Sequence, residues 1–222
     1  MRRKLACVSK NKEKVAMTGS FNEVKKHANA DPVRFWAAAA DDVSWIKRAT
    51  TILDDAKPPF YRWFVGGEIN GCYNAVDCHV EAGRGDQTAI IYDSAIRGIQ
   101  EHISYAELQD QVARCADVLL QEGIGYGDRV IIYMPMIPQA VVAMLACARI
   151  GAVHSVVFGG FAAAELAKRI DDATPKMIIT ASCGLEPDRV IAYKPLIDEA
   201  IELSVHKTVS YTHLTLPTIL LV

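Results

Sequence analysis

Few residues in this sequence stand where chemistry could be done. The stretch Phe158-Gly159-Gly160-Phe161 puts two residues without side chains directly after an apolar run and ahead of a helical pattern. Such a turn lets a ligand approach the backbone and offers it the free N–H groups of a helix start, which favour anions. A Gly-Gly pair between strand and helix is also an ordinary turn, and the spacing alone leaves both readings open. Arg189, in the stretch ASCGLEPDR (Ala181 to Arg189), is the guanidinium nearest another strand exit. Its planar fork suits two-pronged capture of a phosphate, and the same spacing suits an exposed loop arginine paired with Asp188 or Glu186. His154 has no acid or nucleophile at catalytic spacing, so it is expected to be a hydrogen-bonded core histidine and not a base. Asp171 and Asp172 close a helical pattern, an unfavourable place for negative charge relative to the helix dipole, and a backbone donor or Arg169 is expected to answer them.

Cys78 and His79 are neighbours, but no second pair stands at ligand distance, and Cys7, Cys72, Cys115, Cys147 and Cys183 are scattered. We therefore assign no metal site and no catalytic residue. The cysteines read as buried or idle thiols in a reducing compartment.

Any anionic partner has to be held locally. The 24 basic and 26 acidic residues leave a formal charge of -2, so no overall field draws the protein to nucleic acid or to an anionic membrane. The longest uncharged apolar run, Ala140 to Ala148, is far short of the roughly 20 residues that span a bilayer. With 51% hydrophobic and 23% charged residues in 222 positions, the chain is long and apolar enough to bury a core. It contains neither G-x-x-x-x-G-K-[ST] nor G-x-G-x-x-G, so a self-contained cradle for nucleotide phosphates is missing.

The elements that position these residues can be read from periodicity and punctuation. Ser20 with Glu23 has capping-box spacing, and Asp31-Pro32 opens a second helix. A loop-rich stretch follows to about Gly71, with Phe60, Tyr61, Trp63 and Phe64 expected to pin it onto a neighbouring core. From there strand and helix alternate. TAIIYDS and EHISY form strands, and a helix follows that starts at Ser104 with Glu107 and stops at Gly123. DRVIIYMP, GAVHSVVF and KMIITAS are strands, each followed by a helical pattern. Strands apolar throughout and separated by helices predict an α/β fold: a mostly parallel sheet with helices on both faces, preceded by a helical N-terminal extension. In such sheets ligands bind beyond the carboxyl ends of the strands. The exits YMPM, FGGF and ASCGLEPDR are therefore expected along one edge.

The run from Tyr133 to Ser182, YMPMIPQAVVAMLACARIGAVHSVVFGGFAAAELAKRIDDATPKMIITAS, resembles the short-chain acyl-CoA synthetases, the acetyl- and propionyl-CoA synthetases of the adenylate-forming superfamily. DPVRFWAAAA, PPFYRWFVGGEINGCYNAVDCHV and HISYAEL extend the likeness over about Ser20 to Lys207. Two segments, RWFVGGEINGCYNAVDCHV and CGLEPDRVIAYKPLIDEAIELSVHK, are more similar to the propionyl enzymes. The resemblance implies a ligase that turns ATP, with Mg2+, and a short carboxylate into an acyl-adenylate and pyrophosphate, after which the thiol of coenzyme A displaces AMP. It implies that Phe158, Gly159, Gly160 and Phe161 line the path of the pantetheine arm and that Arg189 meets the nucleotide phosphates of coenzyme A. The family often has R-x-x-R in that loop; here Glu186 stands where the first arginine would be.

The family's Ser/Thr/Gly-rich loop ending in lysine, its adenine-binding strand and its C-terminal lysine match nothing in these residues, so the chain alone is expected to be inactive. The tail from Val209 to Val222 breaks the pattern. Val209 to Thr218 can be back-translated, over ten consecutive residues, as a transposon adapter used in sequencing libraries. The domains expected are a flexible extension at 1–19, an acyl-CoA synthetase N-terminal segment at 20–75, the first part of an AMP-binding domain at 76–208 and an adapter-derived tail at 209–222. Met1 and Met17 both stand open as starts. The expected partners are small molecules, in the cytoplasm or, in a eukaryote, the mitochondrial matrix. Two alternatives stand beside this reading: a complete non-catalytic α/β ligand-binding module, and part of an adenylating enzyme that does not use coenzyme A.

Overall fold

A computed structural model of the protein describes Gly19 to Lys207 and the backbone of a strand at Ser210–Thr212. The expected extension at 1–19, apart from Gly19, and the rest of the tail lie outside the described residues. The chain divides into two compact units at residues 82 and 83.

In the first unit, helix α1 (Phe21–Ala30) begins at the expected capping box, with Ser20 N and Oγ both donating to Glu23 Oε2 at 2.8 Å. Helix α2 (Pro32–Ala39) begins where Asp31 Oδ1 accepts from Arg34 N at 2.9 Å. The stretch expected to be loop-rich is instead built of short antiparallel pairs. Strand β1 (Trp45–Lys47) pairs with β4 (Glu68–Ile69), and between them β2 (Thr51–Asp54) pairs with β3 (Arg62–Val65). Strands of two to four residues are too short to establish a visible alternation, and the Pro and Gly between them read as loop. Of the aromatic cluster, half-buried Phe64 packs against Trp45 at 5.7 Å, whereas Trp63 meets Trp36 at 6.2 Å with both side chains exposed, so the cluster is pinned only in part. Phe60 and Tyr61 are exposed.

The second unit opens with a hairpin of β5 (Thr88–Ser94) and β6 (Ile99–Ser104). Helix α3 (Tyr105–Gln121) starts on the Ser104–Glu107 capping box, and Gly123 follows its end at φ 77°. Then come β7 (Arg129–Met134), α4 (Pro138–Ile150), β8 (Val153–Phe158), α5 (Ala163–Ala173) and β9 (Met177–Thr180). A hairpin of β10 (Cys183–Glu186) and β11 (Arg189–Ala192) leads into α6 (Tyr193–Leu203), and the backbone of β12 (Ser210–Thr212) completes the described chain.

Strands β12, β9, β7 and β8 form one parallel sheet in that order. From β7 the chain moves outward to β8 and then returns across β7 to β9. Crossovers of uniform hand therefore put α4 and α5 on opposite faces. Ile131, Tyr133, Val157 and Ile178 point to the face covered by α5 and α6, where they share a core with Leu166, Ile170 and Ile197. Val130, Ile132 and Met134 alternate to the other face. The parallel sheet covered on both faces is the architecture expected from the sequence.

Two expectations need correction here. His154 is exposed, because β8 is an edge strand of the described sheet and of its residues only Val157 is buried. An all-apolar strand does not disclose whether a neighbour lies on both sides. ASCGLEPDR is not merely a strand exit; it holds the first strand and the Pro187-Asp188 turn of a β-hairpin whose second strand begins at Arg189.

Cys115 on α3 and Cys147 on α4 are buried, and burial pushes their thiols up to about 11 and about 12. Cys72 is also buried, whereas Cys78 and Cys183 are half-buried. Since the thiolate is the reactive form, a maleimide at pH 7 is expected to label Cys183 and Cys78 in the native protein. Cys72, Cys115 and Cys147 are expected to react only after urea is added. Peptide mass spectrometry checks the order of labelling.

Candidate functional site

The carboxyl ends of β7, β8 and β9 are level. Met134 of β7 sits opposite Phe158 of β8, and Tyr133 opposite Thr180 of β9. The three exits picked out from the sequence thus leave one edge of the sheet, as expected. At the other edge the strand starts are sealed by side chains. Arg129 Nη2 donates to Thr174 Oγ1 at 2.8 Å, and Lys176 Nζ donates to Asp128 Oδ2 at 3.0 Å. The Asp128 carboxyl is held below the usual carboxylate range, first by the Gly125 N–H and then by Lys176.

At the carboxyl ends the FGGF turn joins β8 to α5. Phe158 and Phe161 meet edge to face at 6.0 Å, with Phe158 exposed and Phe161 half-buried. The turn is fixed from below by two tyrosines. Tyr133, buried in the central strand, donates its hydroxyl to the Phe161 carbonyl at 2.8 Å. Tyr193, at the first position of α6, lies with its ring 5.0 Å from that of Tyr133. A Cβ at Gly159 would fall 2.3 Å from the Tyr193 hydroxyl oxygen, so glycine is required there by contact. Arg169 of α5 stacks its guanidinium over the Phe161 ring at 5.1 Å.

Arg189 is exposed and donates to Glu186 Oε2 at 2.8 Å across the end of the β10–β11 hairpin. Of the readings left open by its spacing, the pairing with Glu186 is the one adopted by the described chain. Asp171 accepts from the backbone N–H groups of Val205 and His206 at 2.8 and 2.9 Å. This is a backbone donor of the kind expected, and it ties the end of α6 to the end of α5.

Tyr133, Tyr193, Gly184 and Arg169 were not singled out from the sequence as neighbours of the FGGF turn. Arg169 carried a signal, since it lies two turns into the helix that the turn opens. Tyr193 carried none, because nothing local links it to a turn more than thirty positions earlier. Among the described residues no group of three or more His, Cys, Asp and Glu side chains could hold a metal ion, and no described helix is long and apolar enough to cross a membrane. In the first unit a cavity of about 370 Å³ is lined by Ala37, Ala38, Trp45, Ile52 and Phe64, with Arg48 bound to Asp41 at its rim.

Burial, with smaller contributions from Tyr133 and other neighbours, pushes the Tyr193 phenol up to about 12. A group whose folded value is raised stabilises the fold fully below its unfolded value near 10 and loses that contribution as pH climbs toward the folded one. Stability is therefore expected to fall between about pH 10 and 12. In a titration followed at 295 nm, Tyr193→Phe is expected to remove the latest phenolate step.

Sequence comparison decides the family. The pattern described as AMP-binding enzyme matches residues 79–217, and that described as acetyl-coenzyme A synthetase N-terminus matches residues 21–75. The chain belongs to the AMP-binding enzyme family. Within that family it is 57% identical over 186 residues to an uncharacterized protein of Pseudomonas aeruginosa, covering 83% of this chain and 30% of that protein. It is 52% identical over 193 residues to the human acyl-CoA synthetase short-chain family member 3, mitochondrial, covering 86% of this chain and 28% of the relative. It is 49% identical over 180 residues to the acetyl-coenzyme A synthetase of Streptomyces coelicolor, covering 81% and 28%. The chain thus spans under a third of the length of these AMP-binding relatives, and both family patterns agree with the short-chain acyl-CoA synthetase resemblance drawn from its motifs.

Proposed function

We propose that this chain forms the coenzyme A-facing wall of a ligase that makes a short acyl-CoA, propionyl-CoA before acetyl-CoA, from the carboxylate, ATP and coenzyme A through an acyl-adenylate. The observation that carries the reading is the FGGF turn at the level carboxyl ends of β7, β8 and β9, with the Arg189 hairpin entered from β9. In this reading Gly159 and Gly160 leave the backbone open to a narrow pantetheine arm, Phe158 offers it an exposed apolar surface, and Arg189 takes a phosphate of the nucleotide end. ATP and Mg2+ supply the activation of the acid in the whole enzyme. No residue of this chain is assigned to that step, and the 222 residues alone are read as inactive. The preference for propionate rests on the segments that resemble propionyl-CoA synthetases. The scattered cysteines, without C-x-x-C spacing, support a cytoplasmic or mitochondrial-matrix setting, and no nucleic acid or membrane partner is proposed.

Glu186 modifies this picture. Its carboxylate holds Arg189 and stands beside the place proposed for a phosphate, so ligand and Glu186 compete for one guanidinium. Glu186→Ala is expected to tighten coenzyme A binding by about two- to fivefold, the size of a single exposed charge contact. Arg189→Ala is expected to weaken it by a similar factor. Calorimetric titration of the purified chain checks both. Coenzyme A binding that ignores both substitutions would overturn the proposed phosphate contact. A pyrophosphate-release assay with propionate and ATP tests the inactivity of the chain alone, and turnover there would contradict it.

A further inference from the structure

The two elements proposed to hold opposite ends of coenzyme A share a support. Tyr193 is 3% exposed. Its hydroxyl oxygen is the nearest atom to a Cβ built at Gly159, at 2.3 Å, and the nearest to a Cβ built at Gly184, at 2.2 Å. Gly159 belongs to the FGGF turn and Gly184 to β10, the first strand of the Arg189 hairpin. The phenol tip therefore sits in a slot that exists only because both residues lack side chains. Its base is anchored as well, for Tyr193 N donates to the Ser182 carbonyl at 3.0 Å, just ahead of the hairpin. Its ring rests on Tyr133, whose own hydroxyl holds Phe161 at the far end of the same turn. A residue that merely filled the core would place no demand on two glycines in separate elements.

We propose that Tyr193 is a positioning residue that fixes the FGGF turn relative to the Arg189 hairpin. The clamp stands on this geometry; its purpose, keeping the pantetheine and phosphate contacts at the spacing of one ligand, rests on the coenzyme A reading above. An elongated ligand gains over its separate halves only while both contacts are held at the right span. Loosening Tyr193 should therefore remove that advantage and spare the halves.

Amide hydrogen exchange on the whole chain tests the clamp without any ligand. In Gly184→Ala, exchange in residues 158–162 is expected to rise about tenfold although the substitution is on another element, since local opening exposes these amides. Tyr193→Leu is expected to raise exchange in 158–162 and 183–191 together, and Tyr193→Phe, which keeps the ring, by less. In the double variant Gly184→Ala with Tyr193→Leu, the two effects should not add, as befits residues acting through one contact. Unchanged exchange in α3 and α4 identifies a folded variant. A Gly184→Ala effect confined to its own strand, or a Tyr193→Leu effect on only one of the two segments, would overturn the proposal.

The functional arm titrates coenzyme A, pantetheine and adenosine 3′,5′-bisphosphate. Tyr193→Leu is expected to bind both halves as the parent chain does while losing about tenfold for intact coenzyme A, and Tyr193→Phe to do the same with a smaller loss. Equal losses for all three ligands, or none, would count against a positioning role. Failure of the parent chain to bind any of the three would remove the coenzyme A reading instead, and the exchange data would still decide the clamp.

Discussion

Gly159→Val is expected to lose coenzyme A binding altogether while remaining folded. A side chain at this position meets the Tyr193 hydroxyl oxygen at 2.3 Å and its Cζ at 2.7 Å, distances that Cβ atoms do not adopt. The tyrosine has nowhere to go. It is buried, with its ring 5.0 Å from Tyr133 on one side and within the core shared with Ile197 and Leu166 on the other. The turn must move instead, and it carries Phe158 and Phe161 with it. Overpacking of this kind destabilises by about 1–3 kcal/mol, which a domain of this size can survive, so displacement of the turn and not unfolding removes the site. Gly159→Ala should fall between the parent and the valine variant. Calorimetry and a urea melt on the same preparations check the two halves of the claim. A valine variant that binds coenzyme A as the parent does would refute the contact.

Tyr133→Ala is expected to give the largest loss of stability of any change discussed, about 4 kcal/mol, as for other large buried rings truncated to alanine. Tyr133 is fully buried in the central strand of the sheet, between β8 and β9. Truncation removes its contact with Tyr193 and leaves the Phe161 carbonyl without the donor 2.8 Å away. Tyr133→Phe separates the two effects. It keeps the ring and forfeits the hydrogen bond, which in partly buried settings is worth about 1 kcal/mol. Urea denaturation should rank parent, phenylalanine and alanine in that order, with most of the loss in the last step. If the alanine variant lost less than the phenylalanine variant is expected to, the core around β7 would not be packed as described.

How much of this was legible depends on the range of the cause. Helix α4 could be placed at both ends because Pro138 sets its first turn and Gly151 adopts φ 76° just after Ile150, both local requirements. The start of α3 followed from Ser104 and Glu107 in the same way. The alternation of apolar strands with helices fixed the parallel sheet and hence the edge on which the exits meet. His154 was misjudged because a strand's neighbours are not written in the strand. The β10–β11 hairpin was missed although Pro187-Asp188 is turn chemistry, since four-residue strands leave no periodicity to read. The Tyr193 contact with Gly159 and Gly184 is tertiary throughout, and no local rule points to it. Gly159 and Gly160 were thus visible, whereas Gly184 and the side chain packed against Gly159 and Gly184 were not.

The central claim is that coenzyme A meets this chain at the FGGF turn and the Arg189 hairpin. It is tested most directly by ¹H–¹⁵N correlation spectra of the isotope-labelled chain during titration with coenzyme A. Progressive shifts are expected at the amides of 158–161 and of Glu186, Asp188 and Arg189, with those of α1 and α2 unmoved. Spectra in which both of these segments stay in place at saturating ligand would contradict it.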